Sequence, residues 1–221
     1  MEAILKIGGS LAADPACLKI LCQELSQLAK THEIAVVPGG AEFADTVRKF
    51  DEKYGLSKTA THKMAILAMD QYGLLLSDIT PDSYVCYGLQ EIIQSKKKGR
   101  LPIFLPSQFM FRDDSLEKSW NVTSDTIAAY IAKKLCAEKV VLVKDVDGIF
   151  LKDPKAEDSK LLETLSAKEM QSWNKTTSVD KALPKMLLQN KMQCYIVNGK
   201  HLERISDILE NKKTVYTKIT V

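Results

Sequence analysis

The chain has 221 residues, of which 45% are hydrophobic, so it can bury the core of a globular α/β protein as one large or two small domains. Its 31 Lys and Arg against 28 Asp and Glu leave a formal charge of +3, an almost balanced mixture that excludes the footprint of a nucleic-acid binder. Cys17, Cys22, Cys86, Cys136 and Cys194 form no CxxC pair or His-spaced cluster, which excludes a zinc framework and reads as reduced core thiols.

Ala3–Ile7 reads as a first strand, with no basic leader before it, and no apolar run reaches the roughly 18 residues of a membrane helix. A cytoplasmic protein with no membrane partner is the expectation. Gly8-Gly9-Ser10 follows the strand and removes the Cβ atoms that would hold a ligand away from the backbone. Asp14-Pro15 starts a helix, with Asp as cap and Pro where a missing N–H costs nothing. Ile34–Val37 is the second strand, and Pro38-Gly39-Gly40 after it opens into a helix carrying Phe43, Val47 and Phe50. Two strand-glycine-glycine-helix units in forty residues give two sets of backbone N–H groups able to cradle phosphate.

After the break at Gly55-Leu56-Ser57, Ala60, Met64, Leu67 and Ala68 mark a helix. His62 lies off that stripe, where a surface histidine is the commoner outcome and a ligand contact the alternative. Leu74–Leu76, Tyr84–Tyr87 and Leu101–Leu105 are strand candidates, and the basic run Lys96-Lys97-Lys98-Gly99-Arg100 is most simply a solvated turn before the last of them, with contact to an anionic ligand the alternative. Pro106 to Ser119 reads as an irregular connection of the length that serves as a flap.

Asn121 to Asp125 opens a helix in which Thr123 or Ser124 caps the first N–H groups. Ile127, Ala128, Ile131, Ala132 and Leu135 give it one apolar stripe, ending near Ala137. Lys139–Val143 is a strand buried on both faces, and Lys144-Asp145-Val146-Asp147-Gly148 breaks it at the carboxyl end, where open α/β sheets bind ligands. The chain is polar after Phe150, through Asp153-Pro154, until a capping box at Ser166 to Glu169 starts a short helix. Pro184 marks the first turn of another helix and sets Lys185 near its N-terminus, a poor place for a cation unless an anion is also bound. Gln193–Val197, a helix from Leu202 to Glu210, and Val215–Val221 complete about eight strands interleaved with helices, the pattern of a doubly wound, largely parallel sheet.

Lys6-Ile7-Gly8-Gly9-Ser10, Val37-Pro38-Gly39-Gly40, Asn121 with Asp125, Lys144 to Gly148 and the late Lys185, in this order over nearly the whole chain, resemble the amino acid kinase family, which includes acetylglutamate, carbamate, uridylate and isopentenyl phosphate kinases. The resemblance implies a three-layer αβα sandwich in a single domain, residues 1–221. Its N-terminal lobe, 1–137, would bind the acceptor and its C-terminal lobe, 138–221, ATP. Lys6 and Lys185 look like the lysines that neutralise the transferred phosphoryl group, and Asp125 like the carboxylate holding both. Gly8, Gly9, Ser10, Gly39 and Gly40 would cradle phosphates, Arg48, His62 and Asn121 would meet the acceptor, and Lys144, Asp145, Asp147, Gly148, Phe150 and Asp153 would receive the nucleotide.

In this family Mg²⁺ is held mainly by ATP oxygens, so no protein metal cluster is expected, and relatives are homodimers or larger. Two positions depart from the pattern: Tyr216 stands where a glycine is usual near the end, and Ala41 where the first glycine loop often has a third glycine. Glu42 to Arg48, Thr61 to Ile66 and Trp120 to Asp125 look most like the archaeal branch that phosphorylates [5-(aminomethyl)furan-3-yl]methyl phosphate in methanofuran biosynthesis. The expected activity is thus an ATP-dependent kinase acting on a phosphate monoester to give a diphosphate. Isopentenyl phosphate, UMP or an amino acid carboxylate are alternative acceptors, and a non-catalytic nucleotide-binding paralogue is the alternative of another class.

Overall fold

The computed structural model describes residues 1–94, 99–151, 159–173 and 177–221. Its strands in chain order are β1 (Ala3–Ile7), β2 (Ile34–Pro38), β3 (Ser83–Cys86), β4 (Leu101–Phe104), β5 (Lys139–Lys144), β6 (Thr164–Ser166), β7 (Gln193–Asn198) and β8 (Thr217–Thr220). They form one sheet in the order β3-β4-β2-β1-β5-β7-β8-β6, parallel throughout except between β7 and β8. The helices are α1 (Pro15–Leu28), α2 (Ala41–Tyr54), α3 (Lys58–Ile79), α4 (Leu89–Ile93), α5 (Ser107–Asp113), α6 (Ser124–Lys134), α7 (Ala167–Gln171), α8 (Leu183–Asn190) and α9 (Glu203–Leu209).

Successive strand side chains point to opposite faces, and the sequence supplies apolar residues for both. Ala3, Leu5, Ile7, Val141 and Val143 join Leu18 and Leu21 of α1 and Ile205 of α9 in one core layer. Ile4, Val140 and Leu142 join Ile127 and Ile131 of α6 and Leu187 of α8 in the other. The result is the three-layer αβα architecture expected from the sequence. Each fully buried Ile or Leu contributes about 1.5–3 kcal/mol over its exposed state, so the central strands hold the frame on which the loops rest. Strand β5 carries a lysine at each end. Lys139 Nζ donates to the Ile208 and Leu209 carbonyls at 3.1 and 3.3 Å and to Asn211 Oδ1 at 3.1 Å, satisfying the C-terminal carbonyls of α9.

Several elements differ from the sequence reading. Leu74–Leu76 is no strand but part of the 22-residue α3, in which Leu74 and Leu75 are exposed. The eighth strand is instead β6, at the sheet edge beside β8 and short enough to carry no periodic signal. The buried face of α3 runs through Thr61, His62, Ile66, Met69 and Tyr72, while Leu67 is exposed, so His62 belongs to the inward stripe. The 106–119 connection contains α5. The Asp14 cap is as expected, accepting from Cys17 N at 3.0 Å. Lys96 to Lys98, and Asp153 with its neighbours, lie outside the described residues.

Candidate active site

Strand parity decides where the site's charges meet. Lys6 follows Ile4 on β1 and Lys144 follows Leu142 on β5, so both extend the face covered by α6. Asp125, in the first turn of α6, meets them there: Oδ1 lies 2.9 Å from Lys6 Nζ and Oδ2 accepts from Lys144 Nζ at 2.8 Å. The group is buried, with Lys6 5%, Asp125 3% and Lys144 9% exposed. Burial alone would raise the Asp125 pKa, but the Lys144 and Lys6 ammonium groups override it and hold the carboxyl down at about 2. Burial pushes the Lys6 ammonium below the usual lysine range, against the pull of Asp125. Two cations on one carboxylate leave positive charge to spare, which suits an incoming phosphoryl group.

The second cation on Asp125 is thus Lys144, which the sequence reading had given to the nucleotide, and not Lys185. Leu183, Pro184 and Leu187 form the buried side of α8, and this turns Lys185 outward. Lys181, just before that helix, lines the same cleft of about 580 Å³ as Lys6, Asp125 and Lys144.

Asp180 is the residue that sequence reasoning missed. Its carboxylate accepts from Thr123 N and Oγ1, both at 2.9 Å, Thr126 N at 2.9 Å, Thr126 Oγ1 at 2.5 Å and Leu183 N at 3.0 Å. It therefore caps α6 from outside, in place of the Thr123 or Ser124 cap expected, and starts α8 as well. Burial, and the Asp125 charge after it, push the Asp180 carboxyl up from its ordinary value. The three backbone N–H donors can only donate, and so favour the carboxylate.

The glycine loops divide their labour. Gly8 N donates to Val143 O and Gly39 N to Ile7 O, both at 2.8 Å, which ties the ends of β5, β1 and β2 together. Gly9, Ser10 and Gly40 line a second cleft, of about 500 Å³. The loops touch so closely that a Cβ on Gly9 would come within 2.5 Å of the Ala41 backbone. Ala41, in place of a third glycine, adopts the left-handed region at φ 45°. The first unit continues into a 3₁₀ turn at Gly9–Ala13, before α1 begins, instead of directly into an α-helix.

Arg48, Trp120 and Thr123 line both clefts and stand at their junction. The Arg48 guanidinium lies 3.7 Å from the centre of the Trp120 ring. Trp120 is itself fixed by donation from Nε1 to Asp51 Oδ2 at 2.9 Å. His62, 9% exposed, lines the cleft of the glycine loops. Burial, with Lys118 second, moves its pKa down, so the imidazole there is neutral rather than the protonated group a phosphate would favour. Asn121 lines the cleft of Lys6 and Asp125, and its carbonyl accepts from Ala182 N at 3.0 Å.

The residues expected around the nucleotide are tied into the scaffold. Asp145 accepts from Ser10 Oγ at 2.7 Å, joining the β5 turn to the first glycine loop. Asp147 pairs with Arg204 at 2.6 Å and accepts from Asn198 Nδ2 at 3.0 Å. Gly148 has φ 154°, and a Cβ on it would lie 2.2 Å from Thr217 Oγ1. Phe150 forms a bridge with Leu161, and Tyr216 packs edge-on against Tyr195 at 5.3 Å. Among the described residues no group of three or more His, Cys, Asp or Glu side chains is placed to hold a metal ion, and no helix is long and apolar enough to cross a membrane.

Comparison with known proteins agrees with this geometry. The pattern of the amino acid kinase family matches residues 1–198. The chain is 40% identical over 220 residues to the [5-(aminomethyl)furan-3-yl]methyl phosphate kinase of Methanocaldococcus jannaschii, covering 98% of this chain and 96% of that one. It is 25% identical over 228 residues to the uridylate kinase of Pyrococcus abyssi, covering 96% of each. The crystal structure of uridylate kinase from Archaeoglobus fulgidus superposes over 100% of both chains with a TM-score of 0.77 at 20% identity, a likeness of fold. With lysines paired on a buried carboxylate at the carboxyl ends of the central strands, and relatives that are kinases along its whole length, the chain belongs to the amino acid kinase family and is an ATP-dependent phosphotransferase.

Proposed function

We propose that the chain transfers the γ-phosphoryl group of ATP to a small phosphate monoester, giving a diphosphate, and that this acceptor is [5-(aminomethyl)furan-3-yl]methyl phosphate. The observation that carries the monoester is Arg48. It stands where the two clefts meet, lining the same cleft as the Lys6, Asp125 and Lys144 group, with its guanidinium 3.7 Å from the centre of the Trp120 ring and no ion pair among the described residues. The furan acceptor is supported by the 40% identity to the M. jannaschii kinase over nearly all of both chains.

In this reading ATP enters from the C-terminal half, 138–221, and the acceptor from the N-terminal half, 1–137. Its phosphate lies against Arg48, and the γ-phosphoryl group passes between Gly9, Gly40 and Lys6. Phosphoryl transfer asks the protein for alignment and charge compensation, and Lys6, Lys144 and Lys181 provide the fixed cations. Asp125 keeps the first two from collapsing onto the product. Mg²⁺, if bound, would be held by the ATP phosphates rather than by a carboxylate cluster of the protein and would supply further charge compensation. The protein acts as a homodimer or larger assembly in the cytoplasm.

Initial-rate assays with ATP and a panel of monophosphates test the reading. The expected result is a higher kcat/KM for the aminomethylfuran phosphate than for isopentenyl phosphate or UMP, and the reverse order overturns the furan acceptor. Phosphorylation of an amino acid carboxylate in preference to every monophosphate overturns the monoester as well. Light scattering at micromolar concentration tests the assembly, which a single monomeric mass would refute.

A further inference from the structure

Tyr72, on α3, is fully buried in the core layer of Leu5, Ile7 and Leu11. A phenylalanine would fill nearly the same space, and a hydroxyl carried into such surroundings costs free energy unless it is bonded. Its partner among the described residues is the Gly8 carbonyl, to which it donates at 3.3 Å. That carbonyl also accepts from Leu11 N at 3.3 Å, while Gly8 N donates to Val143 O at 2.8 Å. Burial, with the Cys22 thiol second, pushes the phenol above the usual tyrosine range, so it keeps its proton to donate.

Gly73, the next residue of α3, brings the helix onto the second loop: a Cβ there would lie 2.3 Å from Leu105 Cδ2 and 3.0 Å from Pro38 Cγ, just before Gly39 and Gly40. Two successive residues of one helix therefore bear on both glycine loops. The first loop needs such support. A Cβ on Gly8 would stand 3.0 Å from Val143 O, and one on Gly9 2.5 Å from the Ala41 backbone, so the close approach requires glycine at both positions. A peptide between two glycines meets little steric resistance to turning over. Because the C=O and N–H of a trans peptide point in opposite directions, holding the Gly8 carbonyl toward α3 turns the Gly9 N–H away from it. That N–H finds no acceptor among the described residues. Reversed, the peptide would offer a phosphate a carbonyl oxygen in place of a donor.

We propose that Tyr72 is a positioning residue for phosphoryl transfer: through the Gly8 carbonyl it fixes the Gly8–Gly9 peptide so that the Gly9 N–H donates to an oxygen of the γ-phosphoryl group during transfer. Gly9 lines the glycine-loop cleft, and Tyr72 lies buried behind it. A donor fixed before charge develops stabilises the transition state without reorganising, which an unrestrained glycine peptide does not do. The inference rests on the reading that the γ-phosphoryl group passes beside Gly9, and it holds whichever acceptor receives the group.

Tyr72→Phe deletes only the hydroxyl. Initial rates are measured on the full chain with ATP and [5-(aminomethyl)furan-3-yl]methyl phosphate, isopentenyl phosphate or UMP, whichever the parent turns over fastest. The kcat should fall about tenfold or more, while the KM for each substrate stays within about twofold. The same assays with ATPγS place a sulfur, a weak acceptor, on the transferred group. The parent should be slower with ATPγS than with ATP, and Tyr72→Phe should shrink that ratio by about threefold or more, because the donor that tells oxygen from sulfur is loosened. Both rates come from one preparation, so any unfolded fraction cancels in the ratio. A purely structural role would lower the two rates together. An unchanged ratio, or a variant kcat equal to the parent's, overturns the proposal. Lys6→Ala tells this failure from that of the reading beneath it. If Lys6→Ala turns over as fast as the parent, the phosphoryl group passes elsewhere and both fall; if Lys6→Ala loses activity and Tyr72→Phe does not, the role of Tyr72 alone falls.

Discussion

Replacing Asp125 by Asn removes the carboxylate that pairs with both Lys6 and Lys144, and changes the side chain's shape very little. The Asp125 carboxyl, at about 2 in the folded chain, stands near 3.9 in an unfolded one, and this difference corresponds to about 2–3 kcal/mol. Because the folded value is the lower, that stability is fully present above about pH 4 and is lost as the pH falls through about 2. Two buried ammonium groups left without a partner set the larger scale, about 3–5 kcal/mol for breaking a buried pair. At about 2–4 °C per kcal/mol for a chain of this size, Asp125→Asn should lower the melting temperature by about 6–20 °C at pH 7. Urea melts from pH 7 down to pH 2.5 should show the gap between parent and variant narrowing on acidification, since the parent's own carboxyl is then being protonated. Inorganic phosphate, which can replace the missing negative charge, should raise the variant's midpoint at least as much as the parent's, although kcat falls about a hundredfold or more. A loss of less than about 1 kcal/mol at pH 7, or a gap independent of pH, would refute the account of the site as a charge-compensated triad.

Other substitutions separate neighbouring claims. Lys6→Ala and Lys181→Ala should each lower kcat by about a hundredfold in initial-rate assays, whereas Lys185→Ala, on the outward side of α8, should have a much smaller effect; equal losses at 181 and 185 would return Lys185 to the site. Gly148→Ala forces a Cβ to 2.2 Å from Thr217 Oγ1 at φ 154°, and should cost about 2 kcal/mol or more in chemical denaturation. Ala41→Gly should do the opposite and stabilise by about 0.5–1 kcal/mol, because relief of the left-handed strain at φ 45° exceeds the added entropy of the unfolded chain.

What could be read from the sequence follows the range of the interactions involved. Strand ends followed by glycine pairs, the Asp14-Pro15 start and the stripe of α6 are local patterns, and they located the sheet and its loops. Lys144 was misplaced because the strand was ended at Val143; counting Val140, Leu142 and Lys144 as one face would have set it on the same face as Lys6, two residues beyond Lys6's partner Leu142. The three leucines at 74–76 are a short apolar run, for which strand and helix cannot be told apart by period. His62 was read as lying outside the apolar stripe because α3 leaves Leu67, Leu74 and Leu75 exposed, blurring its phase. Asp180 has a local signature, an acid three residues before Leu183-Pro184. Its reach to Thr123 and Thr126, more than fifty residues away in sequence, is a product of packing that no window of sequence contains.

The two lysines of β5 do more than serve the helix and the site at their respective ends. Lys139 and Lys144 are five residues apart, an odd number, so they emerge on opposite faces of the sheet, one beneath the carbonyls of α9 and the other against Asp125. If the strand slid by one residue against β1 or β7, its valines would still find hydrophobic surroundings on either face, for Val140 to Val143 are buried throughout. The lysines would not: each ammonium would exchange faces and be driven into aliphatic packing with no acceptor. An all-apolar strand at the centre of a parallel sheet has little of its own to distinguish one alignment from the next. Here the end charges act as a vernier, admitting only the alignment that also assembles the site.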